Sequence, residues 1–335
     1  MTQFQRVLVT GGAGYVGSAL VPRLLASGHE VTVLDLCLYG DPILPLDNPQ
    51  LHFMREDIRD ADAVASAVRG QDAVLHLACI SNDPSFELDP ELSTTINRDA
   101  FEPFVMAAKS AGVRRFVYCS SSSVYGVSDA ADVTEESPLA PLTLYSQYKA
   151  EGEPIVLGAR DDNFEAVVIR PATVCGYAPR CRLDLSVNIL TNHAVNKRTI
   201  SVFGGAQLRP NLHVDDMCDA YLLMLDASAE LVDGQTFNIG HQNLSIDDIA
   251  TLVKSVVERE NPGEPIEIVH TPTNDMRSYH VNSDKIARVL GYRPKRSIED
   301  AVVGLCDAFR NGLLPNSLDD DRYFNVRVLQ AAAAG

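Results

Sequence analysis

The chain has 335 residues, is 46% hydrophobic and 22% charged, and carries a net charge of −17. That length exceeds the ~250–300 residues one hydrophobic core serves, so two lobes are expected. The acidic balance opposes nucleic acid and anionic membrane surfaces, and no apolar run approaches the ~18 residues of a membrane span.

The opening "MTQFQRVLVTGG" runs straight into a strand and a glycine turn. It lacks the basic start, longer apolar stretch and small-residue cleavage site of a secretory leader, and a cytoplasmic protein is expected. Apolar runs then alternate with helix-like segments. Residues 6–12, 30–36, 72–79, 114–121 and 166–173 read as buried parallel strands. The segments "GSALVPRLLASG" and "DAFEPFVMAAKSAG" between them repeat apolar residues at three- and four-residue spacing. Alternation of this kind predicts an α/β fold with a doubly wound parallel sheet of the Rossmann type, with helices on both faces. Past residue 175 the pattern changes to a smaller, mixed α/β C-terminal substrate lobe. The expected domains are 1–175, to which the chain returns around 213–240, and 176–330.

Seven cysteines are scattered without a CxxC or a Cys/His ligand spacing. Neither a metal site nor a disulfide framework is expected, and the cysteines read as small buried hydrophobes.

"VLVTGGAGYVGSAL" puts Gly11, Gly12, Gly14 and Gly17 between a strand and a helix. Glycines there allow a tight turn, close approach of backbone to a pyrophosphate, and packing of helix on strand. The helix N-terminus then offers free N–H groups to the phosphates. Asp35 follows at the end of the next strand, where a carboxylate accepts hydrogen bonds from both adenosine ribose hydroxyls and repels a 2′-phosphate. The expected cofactor is therefore NAD rather than NADP. Asp57 and Ile58 end the third strand as neighbours of the adenine.

Tyr145 and Lys149 in "LYSQYKAE" lie four residues apart, on one helix face. A tyrosine acts as a base near neutrality only if its ordinary pKa of ~10 falls by about 3 units, some ~4 kcal/mol, and an adjacent ammonium supplies part of that.

Together "TGGAGYVG", Asp35, "HLA" at 76–78, "SSSSVYG", Tyr145-x-x-x-Lys149 and "RPATVCG" resemble the extended short-chain dehydrogenase/reductases. More closely, they look like the NAD-dependent nucleotide-sugar epimerase/dehydratase group, over nearly the whole chain to about residue 310. The resemblance implies catalysis by Ser121, Tyr145 and Lys149. It puts Gly11, Gly14, Tyr15, Val16, Gly17, Asp35, Asp57, Ile58, Leu77, Ala78, Tyr145, Lys149 and Pro171 around NAD. A nucleoside-diphosphate sugar is the implied substrate, with Ser122, Thr173, Arg182, Leu185, Phe203, Arg209 and Arg277 as its contacts. Arg180 is a further cation in the same "YAPRCRLDLS" segment. Helices around 99–112 and 145–158 resemble those of the family's homodimer interfaces.

Ser122 and Ser123 stand where the family's 4,6-dehydratases carry an Asp-Glu pair. A serine hydroxyl is no base for a C–H proton, which disfavours dehydration; decarboxylases usually keep the Glu, which counts against them too. Ser120 and Ser123 read as structural. Thr173 replaces the asparagine of UDP-galactose-type epimerases, and "ATVCGYAPRCRLDLSVN" is closer to a subgroup that includes GDP-heptose 4-dehydrogenases, so nucleotide and sugar stay open. A C4 epimerase leads, followed by a 4-dehydrogenase that releases a keto sugar. A non-catalytic NAD-binding sensor is the remote alternative, because such relatives lose the tyrosine or the lysine.

Overall fold

The computed structural model describes residues 3–81, 83–128, 132–273, 278 and 280–334. Strand and helix alternate through β1 (Arg6–Thr10), α1 (Tyr15–Ala26), β2 (Glu30–Leu34), β3 (Leu51–Met54), α2 (Ala61–Val68) and β4 (Ala73–His76). Short helices α3 (Asp83–Leu88) and α4 (Pro90–Thr94) and a π-helical turn (Thr95–Asp99) lead into α5 (Phe101–Ser110) and β5 (Arg115–Cys119). Next come α6 (Leu144–Gly158), β6 (Glu165–Pro171), β7 (Thr173–Cys175), α7 (Ser186–Lys197), β8 (Thr199–Phe203) and β9 (Leu208–His213). The rest comprises α8 (Val214–Asp226), α9 (Ala229–Val232), β10 (Thr236–Ile239), β11 (Gln242–Ser245), α10 (Ile246–Glu260) and β12 (Glu267–Thr271). Helices α11 (Asp284–Leu290), α12 (Ile298–Arg310) and α13 (Asn325–Ala334) finish the chain.

The main sheet runs β10-β6-β5-β4-β1-β2-β3, and every pairing in it is parallel. Successive strand residues point to opposite faces. Val7 and Val9 therefore join Leu20, Val21 and Leu24 of α1 with Met217, Tyr221 and Met224 of α8. Leu8 joins Val64 of α2, Phe104 and Val105 of α5, and Val156 of α6 on the other face. Both faces are thus covered, as a parallel sheet requires. Two smaller sheets, β11-β9-β7 and β12-β8, lie apart from it. Helices α7, α10 and α12 pack over the second through Val187, Leu190, Ile249, Val253 and Val302.

Each of the five expected strands ends two or three residues earlier than its apolar run. The residues beyond leave the ladder to form turns, and those turns build the site described below. Strand order reverses between β1 and β4, which opens a crevice at the strands' carboxyl ends.

His76 ends β4 inside the core, 4% exposed, with Nδ1 2.9 Å from Thr10 Oγ1. Phe101, Phe104 and Phe116 surround it. Burial, followed by the Lys149 charge, pushes its pKa down from 6.5 to about 3. Between those values the unfolded chain binds a proton that the folded chain refuses, so stability is lost as pH falls. Urea unfolding from pH 7 to 4 should show this, and His76→Phe should reduce the slope by about one proton, ~1.4 kcal/mol per pH unit.

Candidate active site

A cavity of about 350 Å³ occupies the crevice, lined from the ends of β1, β2, β4, β5 and β6. At the β1 end Gly11 has φ +73, and a Cβ on it would meet the Ala78 nitrogen at 2.7 Å. A Cβ on Gly17 would lie 2.4 Å from the Gly12 carbonyl oxygen. No side chain fits either place, so the turn lies flat against β4 and α1 starts directly above it. Gly14 caps α1 without a side-chain bond, which leaves first-turn N–H groups for an anion.

Asp35 binds that turn to β2. Its carboxylate accepts from the Ala13 nitrogen at 2.9 Å and the Cys37 nitrogen at 2.7 Å. Burial raises its pKa, while these two bonds and the Arg180 charge work against the rise. Its rim of the cavity continues to Asp57, gripped by Arg59, and to Ile58. Asp35→Asn should weaken NAD by ~10-fold or more and narrow the preference over NADP, read by calorimetric titration of both.

The turn, the ribose-side acid and the uncapped helix start fit a dinucleotide. All thirteen residues expected around NAD line this one cavity: Gly11, Gly14, Tyr15, Val16, Gly17, Asp35, Asp57, Ile58, Leu77, Ala78, Tyr145, Lys149 and Pro171.

The four serines after β5 separate by environment. Ser120, 1% exposed, donates to Glu153 Oε1 at 2.6 Å. Glu153 in turn takes both prongs of Arg170, at 2.9 and 2.6 Å. Ser121 caps a short 3-10 turn (Ser122–Tyr125) and accepts from the Ser123 nitrogen at 3.1 Å and from Ser123 Oγ at 2.9 Å. A hydroxyl has two acceptor lone pairs and one proton, so Ser121 keeps only its proton to offer. All four, Ser120 included, line the cavity.

Tyr145 is the second residue of α6, whose start is fixed by a reciprocal Thr143–Ser146 capping box. The positive end of the helix dipole there favours an anionic oxygen. One turn on, Lys149 is 4% exposed and donates to the Cys119 carbonyl at 2.7 Å. Burial works against its charge, but the anionic forms of Cys79 and Tyr145 work for it, and its pKa is raised overall.

Thr173, Leu185 and Arg182 also line the cavity. Arg182 is held bidentately by Asp184, at 2.9 and 3.0 Å, with a third bond to Ser81 Oγ at 3.1 Å. Phe203 and Arg209 are not among the lining residues: Phe203 ends β8 at 57% exposure, and Arg209 sits within β9. Arg277 lies outside the described residues. Lining residues that the sequence did not single out for the site include Tyr39, Cys79, Ser81 and Asn325. The cysteines are all free, but Cys37, Cys79 and Cys119 are half-buried and line the cavity, Cys119 also packing against the main core. Arg180 does carry a signal, a cation two residues before the expected substrate contact Arg182. Among the described residues, no group of three His, Cys, Asp or Glu side chains could hold a metal, and no helix is long and apolar enough to cross a membrane.

Fold and site together define a doubly wound, dinucleotide-binding α/β protein with a Ser-Tyr-Lys constellation at its switch point. Residues 7–240 match the family described as NAD dependent epimerase/dehydratase. The chain belongs to that family, within the extended short-chain dehydrogenase/reductases, and its cofactor is NAD. It is 32% identical to the UDP-glucose 4-epimerase of Mycolicibacterium smegmatis over 317 residues, 91% of this chain and 99% of that one. It is 30% identical to a dTDP-glucose 4,6-dehydratase of Streptomyces niveus over 321 residues, 91% of this chain and 93% of that one. A solved dTDP-glucose 4,6-dehydratase from Streptomyces venezuelae, with NAD and TYD bound, superposes with a TM-score of 0.81 at 28% identity, covering 91% of this chain and 97% of that one.

Proposed function

We propose that the protein is a nucleotide-sugar 4-epimerase that oxidises and re-reduces one sugar carbon through a transient 4-keto sugar. The observation that carries this reading is the combination of Ser121, Tyr145 and Lys149 with a sugar end free of acids. Among the described lining residues the carboxylates are Asp35, Glu56 and Asp57, all at the adenosine end. Bound NAD supplies a reversible hydride acceptor for the sugar carbon. The Tyr145 oxygen takes the C4 hydroxyl proton and returns it to the carbonyl oxygen on reduction. Lys149 keeps that oxygen anionic between turnovers, and the Ser121 proton hydrogen-bonds the sugar oxygen as its charge develops. Ser122 and Ser123 supply no base for a C5 proton, which separates this site from a dehydratase.

An epimerase and a dehydratase both stand among the relatives near 30% identity, so the serines carry the choice between them. Thr173, Arg182 and Leu185 would meet the nucleotide sugar, joined by Phe203, Arg209 and Arg277. The same reading includes a cytoplasmic homodimer through α5 and α6, with Met106 exposed on α5. Light scattering of the purified protein checks the dimer.

Incubation with a panel of UDP-, GDP-, CDP- and dTDP-sugars, read by NMR, tests the reaction. An epimer supports the proposal. A released 4-ketone with reduced cofactor would make the protein a dehydrogenase, and a 4-keto-6-deoxy product would make it a dehydratase.

A further inference from the structure

Alignment reaches 99% and 97% of two relatives but only 91% of this chain, which therefore carries residues they lack. After α12 the chain crosses back to the cavity. The Tyr323 carbonyl accepts from the Leu183 nitrogen at 2.9 Å, and Leu329 packs against Ile80 and Ile96.

Asn325, the first residue of α13 and 1% exposed, ties three segments together. Its backbone N–H donates to Asp184 Oδ2 at 3.1 Å and its Nδ2 to Ser81 Oγ at 3.1 Å. Its Oδ1 accepts from Arg180 at 2.6 Å.

Arg180 is the cation this network holds. Its backbone N–H donates to Ser18 Oγ, just past the first turn of α1, at 3.0 Å. Its guanidinium is buried over the Tyr39 ring, 4.8 Å from the centroid. Among the described residues its Nε has no hydrogen-bond partner, and neither has the buried Tyr39 hydroxyl. Burial, then the Arg182 charge, lowers the Arg180 pKa to about 10. A buried, half-satisfied cation beside the phosphate turn is incomplete without an anion.

We infer that Arg180, positioned by Asn325, binds the diphosphate of the dinucleotide, and that the C-terminal segment Leu314–Leu329 closes the cavity over it. Asn325 acts through Arg180, so it is a positioning residue. The inference rests on NAD as cofactor and not on the sugar reaction.

Calorimetric titration of NAD, ADP and adenosine into the NAD-stripped full chain, without nucleotide sugar, tests it. Arg180→Gln should weaken NAD and ADP by about 10- to 100-fold, with a flatter salt dependence, and leave adenosine unchanged. Asn325→Ala should weaken NAD by about three- to tenfold, and the double variant should be no worse than Arg180→Gln alone. Leu329→Ala should release NAD faster. Unchanged NAD and ADP affinity in Arg180→Gln, an equal loss for adenosine, or multiplying effects in the double variant would each overturn the inference. If Arg180→Gln does not fold, Arg180→Lys keeps the charge but not the fork, and it should bind NAD and ADP several-fold more weakly. Affinities within about twofold of wild type in that variant would also overturn it. A wild-type chain that bound no NAD would contradict the cofactor itself.

Discussion

Turnover of Tyr145→Phe is expected to fall by about 10³- to 10⁴-fold, with NAD affinity within about threefold of wild type. The loss is large because, among the described residues, no other group lining the sugar end of the cavity could replace the phenolic oxygen. Ser121 has both lone pairs occupied by Ser123 and can only donate. Cys119 is half-buried and desolvation raises its thiol pKa, so it is a poor base. Tyr145 sits at the positive end of α6, one turn from an ammonium that its surroundings keep charged. Cofactor binding survives because the glycine turn and Asp35 lie at the opposite end of the cavity. Single-turnover NMR with a responsive nucleotide sugar, alongside NAD titration, measures both quantities. Turnover within tenfold of wild type would move the base elsewhere.

Glu153→Gln should lower stability by about 3–5 kcal/mol, because it leaves the Arg170 charge buried without its partner. Glu153 and Arg170 have side chains only 5% and 7% exposed and are joined by two charge-assisted bonds. Arg170 also donates to the Tyr125 hydroxyl at 2.7 Å, which donates to Asn238 Oδ1 at 2.7 Å. Through Ser120 this network anchors the residue before Ser121, so the substitution should lower kcat as well. Glu153→Leu with Arg170→Met, which removes both charges, should recover much of the stability. Urea unfolding of the three proteins decides the point. A single variant as stable as wild type would mean that the Arg170 charge is tolerated there without its partner.

What the sequence made legible was local. The glycine turn, Asp35 and the Tyr145/Lys149 pair each depend on a few consecutive residues, since a tight turn or one helical repeat sets their geometry. Strand boundaries were overrun because the apolar residues continue past the strand's end, as Leu77 and Ala78 do beyond β4. Arg182 is expected to contact the anionic substrate, yet Asp184 stands two residues away and takes its guanidinium. Cys79 and Cys119 carry no sequence sign of the cavity, because a half-buried thiol and a core thiol have the same composition. Ser81 and Asn325 were out of reach for a different reason. They are 244 residues apart, and only the return of the C-terminal segment brings them together.

In the proposed reaction, hydride leaves one sugar carbon and comes back to the same carbon. A nucleoside-diphosphate hexose carrying deuterium at C4, turned over by the protein as it stands and followed by NMR, tests it directly. The expected product is a C4 epimer with deuterium still at C4 and none gained from solvent. A 4-ketone without that deuterium, or a product carrying it at C6, would contradict it.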